Sequence, residues 1–315
     1  MSTCSLLSCG LDDEGSFERG DYESARARWC PGCGDHSVLA ATHKLLAAEQ
    51  LSPEKTVFVS GIGCSSRFPH YVKTYGLHGL HGRALPVATG VKLHRPDLDV
   101  FVVMGDGDCC SIGAAHWIHA VRYNMKMVVL LLDNNIYALT KKQTSPTTTQ
   151  GLTSNTQPHG SYLPALNPLT VTLGVTNASF VAQTAEWSPP HLEATLGAAF
   201  RHPGFAFVRI LQRCPVYMPD QFKDALQDRS RVELIVHDDG VQVPQLANVY
   251  RSQRTHDPSN LDAARRLAED SEPVRLGVFY RDPTRPRYED TRRRPARSAA
   301  EKIAQLEKEL DRYAV

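Results

Sequence analysis

Two short apolar runs stand out from the polar background, residues 100–104 (Val-Phe-Val-Val-Met) and residues 127–132. Both are rich in β-branched residues and bounded by turn formers, so both read as strands buried in a parallel sheet. Residues 112–123 between them carry helical spacing. The unit is strand, glycine turn, helix, strand, polar turn. Similar pieces flank it. Residues 56–60 read as a first strand, and 178–183 and 206–211 as later ones. Helices are expected at 37–49, with Val38, Leu39, Thr42, Leu45 and Leu46 on one face, at 85–92, rich in small residues, and at about 191–200. The predicted class is α/β, a mostly parallel sheet flanked by helices.

The ends of the chain are different in character. Residues 1–28 are polar with little periodicity and read as an extended N-terminal arm. Residues 29–220 hold the alternating pattern, interrupted at 150–170 by an irregular loop rich in Thr, Asn, Pro and Gly. Residues 221–315 read as a C-terminal extension, with 274–281 a further strand or an extended arm. Residues 281–297 set seven arginines against Asp282, Glu289 and Asp290, which suits a solvated tail or docking on an acidic partner surface. Ser298-Ala299-Ala300-Glu301 is a capping box. The helix it starts carries Ile303, Leu306, Leu310 and Tyr313 on one stripe, for packing on its own chain or on another subunit.

Composition narrows the function classes. The chain has 315 residues, 42% hydrophobic and 22% charged, as expected of a globular protein of one large or two modest α/β domains. A net charge of +1 gives no case for nucleic acid. The run at 127–132 is too short to span a bilayer, and no secretory signal is visible, so a cytoplasmic location is expected. Eight cysteines in such a chain point to metal or redox use rather than a disulfide framework. Cys4 and Cys9, in the arm, are expected to have no function.

The chemistry gathers at strand ends. Gly105-Asp106-Gly107-Asp108 follows one apolar run and Asp133-Asn134-Asn135-Ile136-Tyr137 the other. In open α/β sheets the carboxyl ends of the strands hold the ligand. Two oxygen ligands beside a tight glycine turn suit Mg²⁺, which binds through one or two protein groups plus substrate phosphates. Gly105 and Gly107 let the backbone approach a diphosphate, and the following helix offers unpaired amides to it. A capping aspartate and an ordinary Asn-Asn turn are the plainer reading, disfavoured by the two motifs occurring together. His81 and Arg83, in His78-Gly79-Leu80-His81-Gly82-Arg83-Ala84, are candidate diphosphate contacts. The polar loop 140–147 leaves the metal site and is placed to close over it.

Arg28-Trp29-Cys30-Pro31-Gly32-Cys33-Gly34 sets two thiols on a turn that can aim both at one metal, though a redox dithiol or half a zinc site has the same spacing. Cys64, in Gly61-Ile62-Gly63-Cys64-Ser65-Ser66-Arg67, and Cys214, in Arg213-Cys214-Pro215, each stand at a strand's carboxyl end. Four converging thiolates suit zinc or an iron–sulfur cluster, and a pair plus two singletons suits a cluster built into a fold.

The span from Gly105-Asp106-Gly107 to Asn134 resembles the thiamine diphosphate motif of thiamine enzymes. The resemblance implies a thiamine diphosphate-binding fold in which Asp106 and Asn134 bind Mg²⁺ by side chain and Ile136 by its carbonyl. Together with the cysteine motifs and Asn135-Ile136-Tyr137-Ala138-Leu139-Thr140, the chain resembles the β subunit of 2-oxoacid:ferredoxin oxidoreductases over about residues 25–225. That implies one 4Fe–4S cluster on Cys30, Cys33, Cys64 and Cys214, and cofactor contacts from Gly63, Ser65, His81, Gly105, Gly107, Asp108 and Leu139. It also implies coenzyme A as co-substrate and ferredoxin as electron acceptor. The carboxylate that assists the cofactor's aminopyrimidine comes, in the family, from a separate α subunit, so an obligate partner in an α2β2 assembly is expected, docked in part by residues 221–315. Two departures stand out: Cys109-Cys110 where small or apolar residues are expected, and Lys142 where glycine is usual.

Arg67 lies three residues after Cys64, on a turn expected to face the cofactor. A guanidinium suits bidentate binding of a carboxylate, with Lys141 or Lys142 adding to the field and His81 beside the reacting centre. A diacid keeps a second carboxylate through decarboxylation, so 2-oxoglutarate is favoured over pyruvate, giving succinyl-coenzyme A and CO₂, reversibly in principle. Two competing classes are a cluster-free thiamine decarboxylase or carboligase, separated by a metal and sulfide assay, and a zinc-stabilised interaction module, separated by retention of thiamine diphosphate.

Overall fold

The computed structural model describes residues 16–292 and 298–313. Cys4 and Cys9 lie outside them, as do Arg293, Arg294 and Arg297 of the arginine-rich run. Nine strands form one sheet: β1 (Thr56–Ser60), β2 (Tyr75–His78), β3 (Asp99–Gly105), β4 (Met127–Asp133), β5 (Phe180–Ala185), β6 (Phe205–Leu211), β7 (Val232–Val236), β8 (Ser252–Thr255) and β9 (Val274–Arg281). Their order is β2-β1-β3-β4-β6-β5-β9-β7-β8. The first six are mutually parallel. β9 joins β5 antiparallel, and β7 and β8 run parallel to β9. The carboxyl ends of β1–β6 therefore share one edge, and the last three strands point the other way.

The helices are α1 (Asp35–Ala48), α2 (Ala84–His94), α3 (Ala114–Tyr123), α4 (Pro168–Gly174), α5 (Pro189–Arg201), α6 (Lys223–Gln227), α7 (Leu261–Glu269) and α8 (Ala299–Asp311). Alternation along β3 builds two cores. Val100, Val102 and Met104 face one with α2 and α3, while Phe101 and Val103 face the other with α1 and α5. This is why the central strands read as continuous apolar runs. Among the described residues, no helix is long and apolar enough to cross a membrane.

Both central strands and α1 fall where hydropathy places them. β2 was not expected: it is only four residues long, all four are exposed, and it pairs only with β1. The helix expected from Ile112 is preceded by a π-helical turn, Asp108–Ile112, that turns Cys109 and Cys110 into the core. The second half of the arm is anchored: Tyr22 is fully buried and its hydroxyl lies between the carbonyls of Leu46 (3.0 Å) and Leu51 (2.7 Å), donating to one at a time.

Candidate functional site

The turns after β3 and β4 enclose a small cavity of about 100 Å³. Asp106 is its buried acid. Its carboxylate accepts from the Ser145 hydroxyl, and the Thr147 hydroxyl lies between it (2.7 Å) and Asp133 (2.8 Å). One hydroxyl has one proton, so Thr147 donates to a single carboxylate at a time. Burial pushes the Asp106 carboxyl up to about 7, the charge of Asp133 adds to this, and the two hydroxyls oppose it. Asp133 is itself held by Arg209 of β6 at 2.7 Å. A buried carboxylate penalised in this way fits a dication, whose charge restores the ionised form.

Asn134 is oriented from both ends of its amide. Its Oδ1 accepts from the Ile136 amide at 3.2 Å and its Nδ2 donates to Gln212 at 2.9 Å. Gly107 is required by Tyr137: a Cβ there would come within 2.0 Å of the ring, whose hydroxyl donates to the Gly107 carbonyl at 3.1 Å.

Asp108 organises the opposite wall. Its Oδ1 accepts from the amides of Ile62 (3.1 Å) and Gly82 (2.7 Å) and from His81 Nδ1 (2.5 Å). A carboxylate is an acceptor only, so the His81 proton sits on Nδ1 and Nε2 is left for the cavity. Gly63, Cys64, Ser65, His81, Gly105, Asn134, Ile136 and Leu139 all line the same space.

The cysteines stand directly behind it. Gly34 donates its amide to the Arg213 carbonyl at 3.1 Å, which ties the Cys30–Cys33 turn to the exit of β6 and hence to Cys214. Trp29 Nε1 donates to the Cys64 carbonyl at 2.7 Å. Burial pushes the Cys64 thiol up to about 12, with Asp35, Cys214 and Cys30 adding and Arg67 opposing. Burial likewise raises Cys33, with Asp35, Cys214 and Cys64 adding. The four thiols are thus electrostatic neighbours. Yet among the described residues no three His, Cys, Asp or Glu side chains are close enough for one metal ion. Cys64 and Cys214 pack with Ile136 and Ala138, so the cysteine group and the cavity share a wall. Asp35 is buried beside Cys33. Cys109 and Cys110 lie in the core on the helix α2–α3 side of the sheet.

Comparison with known proteins is decisive at this point. The chain is 40% identical over 293 residues to the 2-oxoglutarate oxidoreductase subunit KorB of Mycobacterium tuberculosis, an alignment covering 84% of this chain and 78% of that one. The chain belongs to the β subunits of the 2-oxoacid:ferredoxin oxidoreductases. A 2-oxoacid:ferredoxin oxidoreductase β subunit of Aeropyrum pernix is 36% identical over 266 residues, covering 83% of this chain and 80% of its own. The structure of 2-oxoglutarate:ferredoxin oxidoreductase from Magnetococcus marinus, with 2-oxoglutarate, coenzyme A and succinyl-CoA bound, superposes with a TM-score of 0.77 at 34% identity, covering 95% of this chain and 93% of that one. The C-terminal TPP binding domain of thiamine pyrophosphate enzymes matches residues 61–210, and the C-terminal region of the pyruvate ferredoxin oxidoreductase β subunit matches residues 246–295. This β subunit is accordingly part of an oxidoreductase, and the β designation of its relatives implies an α partner.

Not every expected residue of the β subunit reaches the cavity. Arg67 lies beside Cys64 instead: its guanidinium donates to the Arg28 carbonyl at 3.2 Å and sits 5.8 Å from the Tyr71 ring centroid. Arg83 donates to the carbonyls of Gly82 and Ile112. Lys141 and Lys142 occupy the turn after Thr140, just past the cavity's lining, both in the left-handed region at φ +71° and +72°. That conformation explains why glycine suits position 142.

Arg209 and Gln212 escaped notice in the sequence, while Asp133, Ser145 and Thr147 were seen only as part of their motif and loop, with no role of their own. The signals were the hydroxyl-rich loop itself and a lone arginine inside the otherwise apolar strand Phe-Ala-Phe-Val-Arg-Ile-Leu.

Proposed function

We propose that this subunit carries out coenzyme A-dependent oxidative decarboxylation of 2-oxoglutarate to succinyl-CoA and CO₂, reversibly, with electrons leaving through one 4Fe–4S cluster to ferredoxin. The observation that carries this reading is the shared wall: Cys64 and Cys214 pack on Ile136 and Ala138 of the turn that lines the cavity. Cys30, Cys33, Cys64 and Cys214 would hold the cluster, whose soft thiolate donors the set supplies. Asp106, Asn134 and the Ile136 carbonyl would hold Mg²⁺ against the diphosphate of the cofactor. Bound thiamine diphosphate supplies the electron sink that lets a 2-oxoacid lose CO₂.

The chain's own groups position and shield. Asp108 fixes the His81 ring so that Nε2 addresses the cavity, and Ser65 and Leu139 complete its walls. The cavity of about 100 Å³ is well below the roughly 300–1,000 Å³ of complete ligand pockets. Ile62 and Leu139 line it while exposed, as is Leu80 beside His81. These features support an α subunit that covers the site, in an α2β2 assembly within the cytoplasm. Helix α8 would dock on the partner, supported by its exposed Ile303, Leu306 and Leu310.

For the substrate, the named 2-oxoglutarate activity of two relatives favours the diacid; pyruvate is the second reading. Arg67 and Lys141 remain the cationic candidates for its distal carboxylate. Co-expression with the α subunit, anaerobic purification and a 2-oxoacid panel with a viologen acceptor tests this. The expected result is coenzyme A-dependent dye reduction with 2-oxoglutarate ahead of pyruvate; dye reduction with pyruvate alone overturns the substrate, and a preparation without iron or sulfide overturns the electron path.

A further inference from the structure

The Asn134 side of the site and the Cys33 side meet on one side chain. Gln212 is the first residue after β6 and is buried. Its backbone amide donates to the Asp133 carbonyl at 3.0 Å, which fixes it to the exit of β4. Its side chain lies between the turn that carries Asn134 and the turn that carries Cys33. Gly34 makes room for it: a Cβ there would lie 2.9 Å from Gln212 Cγ.

The hydrogen bonds fix the direction of both amides. The Ile136 backbone amide can only donate, so Asn134 turns Oδ1 to it at 3.2 Å and Nδ2 away. The Arg213 carbonyl can only accept, so Gln212 turns Nε2 to it and Oε1 away. The two remaining ends then match, and Asn134 Nδ2 donates to Gln212 Oε1 at 2.9 Å. Neither amide can flip without setting donor against donor or acceptor against acceptor. Gln212 Nε2 has two protons. One serves the Arg213 carbonyl, and the other is directed at Cys33 Sγ, 3.4 Å away.

Each end of this amide has a consequence. A partner behind a metal ligand orients that ligand and holds its metal. An N–H aimed at a cluster sulfur stabilises the reduced, more negative state more than the oxidised one, which raises the reduction potential. The carboxamide does this without a charge of its own.

We propose that Gln212 is a positioning residue shared by the two halves of the site, orienting Asn134 for Mg²⁺ and setting the potential of the cluster through Cys33. The inference rests on the cluster and Mg²⁺ assignments proposed above, and it adds a single side chain through which both are adjusted.

The test compares Gln212→Leu and Gln212→Glu, each co-purified anaerobically with the α subunit. Glutamate keeps an oxygen for Asn134 but has no proton for the sulfur, because any proton it carries goes to the Arg213 carbonyl. Leucine loses both contacts. In both variants the midpoint potential, read by an EPR-monitored titration, should fall by up to about tenfold in the reduction equilibrium, or 59 mV for one electron. Calorimetric binding of thiamine diphosphate with Mg²⁺ should weaken about tenfold in Gln212→Leu and stay within about twofold in Gln212→Glu. With a full cluster in the unsubstituted enzyme, a potential unmoved in both variants, or cofactor affinity unmoved in Gln212→Leu, overturns this inference alone. Absence of iron and sulfide from the unsubstituted enzyme overturns the cluster assignment, and the role at Cys33 with it.

Discussion

The two halves of the cleft are stabilised in opposite ways. On the Asp106 side every carboxylate has donors: Ser145 and Thr147 serve Asp106, Arg209 serves Asp133, and His81 with two amides serves Asp108. On the cysteine side burial first, and then the neighbouring Asp35, disfavour ionisation of Cys33 and Cys64, with the other thiols adding. The first half is preorganised by the protein's own hydrogen bonds. The second is a concentration of potential negative charge that a bound cation centre would offset. Under the proposed function, one side would orient a reactant and the other would hold the electron-passing cluster.

The largest effect should come from breaking the cysteine half alone. Cys64→Ala should remove the broad visible absorbance and abolish electron transfer to a viologen, while thiamine diphosphate is retained. Full iron content in that variant, or joint loss of the thiamine cofactor, would show that the halves are not the separate devices they resemble. The complementary cut is Asp106→Ala. Loss of a ligand should weaken Mg²⁺ and thiamine diphosphate together by about 100-fold, measured by calorimetry, with the visible absorbance unchanged. Unaltered cofactor affinity would move the metal away from Asp106.

A third measurement separates acid effects of the scaffold from those of the cleft. His202, at the end of α5, is held down to about 4 from an ordinary 6.5, by burial first and then by Arg281 and Arg287. The unfolded chain therefore takes up this proton before the folded one does. Stability should fall as pH drops from about 6.5 toward 4, and the folded state regains no ground below that. His202→Gln should flatten the slope of the urea midpoint against pH; an unchanged slope would return the acid sensitivity to the carboxylates of the cleft.

The smallest effect concerns the loop that joins the halves. Lys142 sits at φ +72°, where a side chain is strained. Lys142→Gly should raise stability by up to about 1 kcal/mol, seen as a slightly higher melting temperature, without changing cofactor content. A loss of stability would show that the lysine side chain outweighs its backbone strain.

The central motif was legible because each of its parts is local. A β-branched run, a glycine turn and an acid at its end occupy a few consecutive residues, and β3 and β4 fall on the expected positions. The same holds for Cys30 and Cys33, which one turn brings together. Edge strands were not legible, since β2 and β8 are only four residues long and face solvent. Residues 232–281 read as an extension, yet they complete the sheet, because pairing between β5 and β9 is a property of two segments about a hundred residues apart. The sequence determined by itself which groups exist for chemistry: the acid and amide at two strand ends, the four cysteines, the glycines between them. Only the tertiary structure decided their company. Thr147 between two carboxylates, Asp108 fastening His81 and Arg67 donating to the Arg28 carbonyl all depend on residues distant in the chain. A hydrogen bond or a desolvated charge is set by what lies within a few ångströms, and linear order does not carry that distance.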